Sequence, residues 1–557
     1  MESFYINWEY RVIHSEVKMS YSPQHARDEM KTFRHFRAIN VLKNLATTPY
    51  DLTIEGNLSS ERIERYTAQA GEFKLLFATE RVNDDVLHAL KELAQEAHLI
   101  EKMEMMQKGE VINKIEGYPS ENRMVLHTAM RDFFAHPNPA KEAIKAAKAE
   151  KKECDKLKAF ISNIDHENKF TDIIQIGIGG SYLGPNALYI ALKSYQKTNR
   201  SAHFISNVDP DNATSILKEI DPKKTLVVVV SKSGTTLETR VNEEFVRQRF
   251  KEAGCDPKDH FIAVTGENSP MDNPEKYLAS FYMWDYIGGR YSATSMVGAI
   301  TLSFTLGFDQ YINLLKGAHE MDRIALSPDF RQNLPLLSAM LGIWNRNFLH
   351  YPTVAILPYS QALLRFPAHL QQCDMESNGK RIDKQGHPVD FDTGPIIWGE
   401  PGTNGQHSFY QLIHQGTNII PIEFIGFKES SAQEDLTIEG TTSQEKLLSN
   451  LFAQSIALAK GQKSDNPNKV FQGNRPSRIL LSRRLDPFTL GALLAYYEHK
   501  VAFQGFCWNI NSFDQEGVQL GKVLAKKIID YFSAKREGKK AEKFPEAEAM
   551  VRHLDGL

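Results

Sequence analysis

Apolar residues recur at three- and four-residue spacing through the first ~130 residues, as in DDVLHALKELAQEAHLIEKMEMM at 84–106, and this period predicts helices joined by polar turns. The Ala/Lys-rich stretch at 140–161 reads as a further, exposed helix with solvated charges. From 171 the pattern changes. Short apolar runs at 172–178, 202–208, 225–231 and 260–266 alternate with amphipathic segments near 185–195, 213–220 and 238–250. Strands alternating with helices imply βαβ units and a parallel sheet. A second series follows, with predicted strands at 353–359, 396–400, 418–427, 477–483 and 501–506. A last helix is predicted from Ser512 to about Phe532, opened by Ser512 with Gln515 three residues later in a capping-box pattern. The fold class is α/β, with two mostly parallel sheets and no sequence repeat at a fixed period.

Length and composition fit that reading. The chain has 557 residues, too many for one hydrophobic core, and its apolar (41%) and charged (24%) fractions are those of a globular protein. Lys plus Arg (66) nearly balances Asp plus Glu (69), so no global basic field exists to draw in nucleic acid or an anionic membrane. Phosphate recognition, if present, is local. The four cysteines, Cys154, Cys255, Cys373 and Cys507, are too dispersed for a clustered zinc pattern or a disulfide scaffold, and a reducing cytoplasm is the expected compartment. The opening MESFYINWEYRVIHSEVK has no signal-peptide character, and no apolar run reaches the ~20 residues of a membrane span.

Several segments carry candidate chemistry. TLVVVVSKSGTTLET places Ser231, Lys232, Ser233, Thr235 and Thr236 between a buried strand and a helix. Open parallel sheets bind ligands at strand carboxyl ends, and a helix N-terminus with free N–H groups favours an anion. Helix capping is the alternative for these hydroxyls, and four of them with a lysine exceed what a cap needs. IGIGGSYLGP brings Gly179, Gly180 and Ser181 after another strand; the spacing is not that of a dinucleotide fingerprint, and no P-loop exists elsewhere. In DYIGGRYSATSMVG, glycines clear the space around Arg290, which suits ligand oxygens or a structural carboxylate equally. Gln372 and Glu376 share a helical face in QQCDMESNGK, where a carboxylate near a helix C-terminus opposes the dipole; an ordinary surface Glu is the alternative. GEPGTNGQHSFYQLIHQGT runs into a helix with His407 in its first turn and His414, read as a satisfied core or supporting histidine, seven residues on. SFDQEGVQLGKVLAKK sets Gln515 and Lys522 on one face, where the lysine could equally snorkel to solvent. No H-E-x-x-H or close His/Cys/Asp cluster supports a metal.

In order, ENRMVLHTAMR, IGIGGSYLGP, SKSGTTLET, DYIGGRYSATSMVG, QQCDMESNGK, GEPGTNGQHSFYQLIHQGT and FDQEGVQLGK closely resemble the phosphoglucose isomerase family. The resemblance implies two flavodoxin-like sugar-isomerase domains of three αβα layers, at 136–310 and 330–510. A helical segment at 1–135 and a helical extension at 511–557 would flank them. It implies isomerisation of glucose 6-phosphate and fructose 6-phosphate through a cis-enediol(ate), no cofactor or metal, and a homodimer whose site borrows from the partner. Residue by residue, it makes Glu376 the base, Arg290 the stabiliser of the charged intermediate, and His407 with Lys522 the ring-opening pair. Gly180, Ser181, Ser231, Lys232, Ser233 and Thr236 would hold phosphate, and Gln372 and Gln515 sugar or phosphate oxygens. Two departures stand out: Ser233-Gly234 where many members have Thr-Phe, and Gln519 where Glu is commoner. The isomerase half of an aminosugar synthase is disfavoured because an N-terminal nucleophilic Cys is missing from 1–13. A phosphosugar sensor could dispense with Glu376, His407 and Lys522, all of which are present.

Overall fold

A computed structural model of the chain describes residues 33–540, 542–555 and 557; the segment MESFYINWEYRVIHSEVK lies outside the described residues. Two strands come early, β1 (Thr67–Ala70) and β2 (Phe73–Leu76). The first sheet is built from β3 (Asp172–Ile176), β4 (Ser201–Ile205), β5 (Thr225–Val230), β6 (Phe261–Thr265) and β7 (Ala279–Tyr282). All its pairings are parallel, in the order β4-β3-β5-β6-β7. This is a doubly wound order, with its switch point between β3 and β5. Alternate residues of β5 serve opposite layers. Leu226, Val228 and Val230 join the core with Leu157, Ile161 and Ile300, while Val227 and Val229 join Ala213, Val246 and Phe250. Burial on both faces explains why β5 is the unbroken run TLVVVV, without polar alternation.

The second sheet contains β8 (Thr353–Pro358), β9 (Ile396–Trp398), β10 (Ile422–Glu429) and β11 (Ser477–Arg484), which are parallel to one another. Its order is β1-β2-β11-β10-β8-β9, with β2 antiparallel to β11. The early part of the chain therefore does more than wrap the core with helices: its hairpin extends the second sheet by two strands.

Three further expectations are corrected. The predicted strand at 501–506 lies inside a continuous helix, Pro487–Trp508, capped by Asp486 and buried along nearly its whole length. A helix buried on all sides loses the amphipathic period, and a short window of it reads like a buried strand. The last helix spans Gln519–Arg536 after a 3-10 turn at Glu516–Val518. Ser512 does not cap it; its hydroxyl donates to Asn378 Oδ1 at 2.7 Å. The Ala/Lys-rich helix, Lys141–Glu167, is exposed on one face only, since Glu150, Glu153 and Cys154 are buried on the other. Among the described residues no helix is long and apolar enough to cross a membrane.

Candidate active site

β5 delivers the chain to Ser231, which is buried, and the loop closes through Gly234, whose amide donates to Ser231 O at 3.1 Å and whose φ is +68°. The helix Leu237–Glu252 follows at once. Thr236 stands at its N-cap without a side-chain capping bond. Its Oγ1 instead accepts from Ser231 Oγ at 3.1 Å, and Ser233 and Thr235 pair their hydroxyls at 2.9 Å. Capping therefore does not account for these hydroxyls. They form a polar rim at a helix N-terminus beyond a strand's carboxyl end, which suits an anion. Lys232 behaves differently from its neighbours. Its ammonium reaches across to Ile287 O at 3.1 Å, and burial pushes its pKa down against the attraction of Asp285.

The glycine turn after β3 meets the same region. A Cβ on Gly180 would lie 2.1 Å from the carbonyl oxygen of Gly289, so only glycine lets this turn touch the Arg290 loop. Ser181 is fixed from behind: Gln175 Nε2 donates to its carbonyl at 2.8 Å and to Val297 O at 3.0 Å.

Arg290 is buried at 2% exposure. Its Nε donates to Ser377 Oγ at 2.6 Å, and its Nη2 to the carbonyls of Ser512 at 2.5 Å and Asp514 at 3.0 Å. Nη1 approaches Gln515 Oε1 at 3.5 Å and Glu376 Oε2 at 3.6 Å. Glu376 ends a π-helical turn, Gln371–Glu376, a rare geometry that widens the helix and is frequent at functional sites. Gln372 Nε2 donates to Glu376 Oε2 at 2.9 Å. The expected pairing of Gln372 with Glu376 on one face thus holds, and the glutamate's side chain keeps 22% exposure. Gln515 turns its other end to Glu121 Oε1, donating at 3.2 Å.

Sequence reasoning missed several supports of this cluster: Ser377, Lys380, Asp514, Tyr291 and Glu121. Lys380 Nζ donates to Glu376 O at 2.8 Å and to Asp514 Oδ1 at 2.9 Å. Ser377 and Lys380 lie inside MESNGK, but only tertiary contacts reveal their partners. His407 ends a 3-10 turn, Asn404–His407, ahead of the helix Tyr410–Gln415, so it does not occupy that helix's first turn. His407 and Lys522 are both exposed, and among the described residues no hydrogen bond or ion pair joins either to Glu376 or Arg290. His414 is hydrogen-bonded, as expected of a satisfied histidine, its Nε2 bonded to Gln454 Oε1 at 2.7 Å. A separate cleft of about 330 Å³ is lined by Asp132, His136, His319 and Asp322 and by none of the site residues expected from sequence.

The arrangement at Glu376 sets a carboxylate, a buried guanidinium and two glutamine amides together, beside loops fit for a phosphate. Comparison with known proteins shows the family to which the chain belongs. The family model described as phosphoglucose isomerase matches residues 76–546. The chain belongs to the phosphoglucose isomerase family. It is 59% identical over 542 residues to the glucose-6-phosphate isomerase of Protochlamydia amoebophila (strain UWE25), covering 97% of this chain and 99% of that one. The glucose-6-phosphate isomerase of Chlamydia pneumoniae is 54% identical over 523 residues, covering 94% and 98%. The crystal structure of a glucose-6-phosphate isomerase from Chlamydia trachomatis D/UW-3/Cx superposes with a TM-score of 0.91 at 50% identity, covering 94% of this chain and 99% of that one. Membership of this family agrees with the two sheets and the ordered motifs.

Proposed function

We propose that this chain carries out its family's reaction with Glu376 as the base. The reaction is the reversible isomerisation of glucose 6-phosphate and fructose 6-phosphate, a step of glycolysis and gluconeogenesis. Phosphate is held by the hydroxyls of Ser181, Ser231, Ser233 and Thr236 with the backbone at Gly180, and Lys232 adds positive charge to that loop. Gln372 and Gln515 orient sugar and phosphate oxygens.

Substrate arrives mostly as a closed ring. Opening it takes an acid on the ring oxygen and a base on the anomeric hydroxyl, roles that fall to Lys522 and His407. In the open chain the carbonyl acidifies the proton on carbon 2, and Glu376 removes it. The electron pair moves into a carbon–carbon double bond and the carbonyl oxygen becomes enediolate. Arg290, buried and therefore little screened, offsets that charge. Glu376 then returns the proton to carbon 1 while the hydroxyl proton on oxygen 2 passes to oxygen 1, which leaves the carbonyl at carbon 2 and yields the ketose. One proton moves between neighbouring carbons and one between their oxygens, so the step requires no external oxidant or reductant.

The observation that carries this reading is the junction of Glu376 with Gln372 at 2.9 Å and Arg290 at 3.6 Å. The ring-opening pair carries a further proposal, that the working unit is a homodimer in the cytoplasm with His407 supplied by the partner. In support, His407 is exposed, and the helix bearing Lys522 has no buried residue while presenting Leu520, Val523 and Ile529 at 70%, 56% and 46% exposure. An apolar helix face of that kind suits a second copy of the chain.

Two experiments test these readings. A coupled assay of glucose 6-phosphate formation from fructose 6-phosphate, run with chelator, is expected to show full activity in the parent; loss of activity with chelator would point to a metal-dependent isomerase. Co-expression of Glu376→Gln and His407→Ala chains is expected to restore part of the activity that each lacks alone, because mixed dimers would contain one intact site. Failure of mixed dimers to recover activity would leave each site within one chain.

A further inference from the structure

An arginine stabilises an enediolate only if its plane is aimed. A guanidinium has five N–H groups, and in Arg290 those of Nε and Nη2 are held by firm bonds. Nη2 is anchored on the carbonyls of Ser512 and Asp514, and Nη1 is the end that approaches Glu376. Nε has one partner, the hydroxyl of Ser377, at 2.6 Å. Ser377 is fully buried. Its hydroxyl also meets Tyr291 OH at 2.8 Å, and the Tyr291 ring stacks on buried His127 with centroids 4.7 Å apart and planes at 20°. The anchor of Nε is therefore itself held against a rigid wall.

Resting on the reading of Glu376 and Arg290 given above, we propose that Ser377 is a positioning residue for the isomerisation: its hydroxyl fixes the Arg290 plane so that Nη1 faces the developing enediolate. One step of the chain links the base to the device that aims its partner, since Ser377 follows Glu376 directly. Without the hydroxyl, Nε becomes a buried donor without an acceptor, and the plane can turn about its Nη2 anchors to relieve that cost. A small misplacement of a charge-stabilising group is felt mainly in the transition state.

The test uses the full-length enzyme and two inhibitors. One is a phosphorylated five-carbon hydroxamate, planar and able to carry negative charge where the enediolate does. The other is a phosphorylated six-carbon alditol, neutral at the reacting carbons. Ser377→Ala is expected to lower kcat about ten- to a hundredfold, with KM within about twofold. Hydroxamate affinity should fall by a similar factor, with alditol affinity unchanged. Ser377→Cys, which fills nearly the same space with a weak acceptor, should lie between Ser377→Ala and the parent. A merely structural serine would change the thermal midpoint and leave the ratio of the two inhibition constants alone, and that outcome overturns the proposal. Unchanged kcat in Ser377→Ala overturns it as well. Arg290→Ala separates the two levels: if it too turns over normally, the reading of Arg290 itself fails, whereas a slow Arg290→Ala beside a normal Ser377→Ala removes only the positioning role.

Discussion

Among the buried arginines that face carboxylates, Arg131 and Arg290 are held in opposite ways. Arg131 is fully buried and saturated: Nε and Nη2 clasp Asp322 at 2.8 and 2.7 Å, and Nη2 also reaches Glu498 at 2.8 Å. His499 completes the set on Asp322 at 2.7 Å. Burial would raise the Asp322 pKa, but Arg131 and His499 hold it well below the usual carboxylate range. Arg290 spends its firm bonds on Ser377 and on backbone carbonyls, leaving Glu376 at 3.6 Å with part of its surface open. A saturated pair has no capacity left for a ligand and serves to hold elements together. An open pair keeps its carboxylate available for a proton and its cation for a developing charge.

The comparison is broken most severely at the base. Glu376→Gln is expected to lose turnover by about a thousandfold or more while unfolding at the parent's temperature, as read by steady-state kinetics and a thermal melt. Near-parental turnover would end the assignment. Arg131→Met should give the reverse pattern. It leaves Glu498 without its arginine and Asp322 with only His499, a loss of about 3–5 kcal/mol in denaturant unfolding. If stability instead stays at the parental value, the saturated network is not holding the fold. Ser231→Ala combined with Thr236→Ala should raise KM for phosphorylated sugars about tenfold or more with little change in kcat, since bonds to a charged group are worth about 1.5–3 kcal/mol each. A fall in kcat alone would remove these hydroxyls from the phosphate grip.

A gradual effect, spread over pH, concerns Glu150, on the buried face of the long helix. Burial pushes its pKa up to about 8, with Tyr286 OH donating to Oε1 at 3.3 Å. The folded state then keeps a proton that the unfolded chain releases above its ordinary value of 4.5. Between those values the folded state binds more protons, so stability falls as pH rises, by at most about 1.4 kcal/mol per pH unit. Glu150→Gln, uncharged throughout, should flatten that slope in melts between about pH 5 and 8. An unchanged slope would mean that Glu150 is not the group responsible.

Much of the first sheet was legible because its strands are long apolar runs placed between amphipathic helices, although β7, with its mixed sequence ASFY, escaped notice. The helix Pro487–Trp508 reads in part as a strand because it is buried all round and carries no polar face to set a period. Its start was legible in retrospect, since Asp486 followed by Pro487 is an N-cap with proline in the first turn. At the site, Ser231 and Thr236 could be read from their place after a strand. Arg131 lies within the segment ENRMVLHTAMR, yet its partners are 191 and 367 residues away, beyond what local spacing can signal.

By itself the sequence determined the α/β class, the family through its ordered motifs, and the residue types available for chemistry, because local periodicity and short motifs are written in contiguous residues. Only the tertiary structure decided which groups meet. It brought Arg290 to Glu376 and Ser377 across 86 and 87 positions, turned Lys232 toward Ile287, and tied Gln515 to Glu121. Such pairings depend on how two sheets pack, and packing couples residues whose separation along the chain carries no trace of their distance in space.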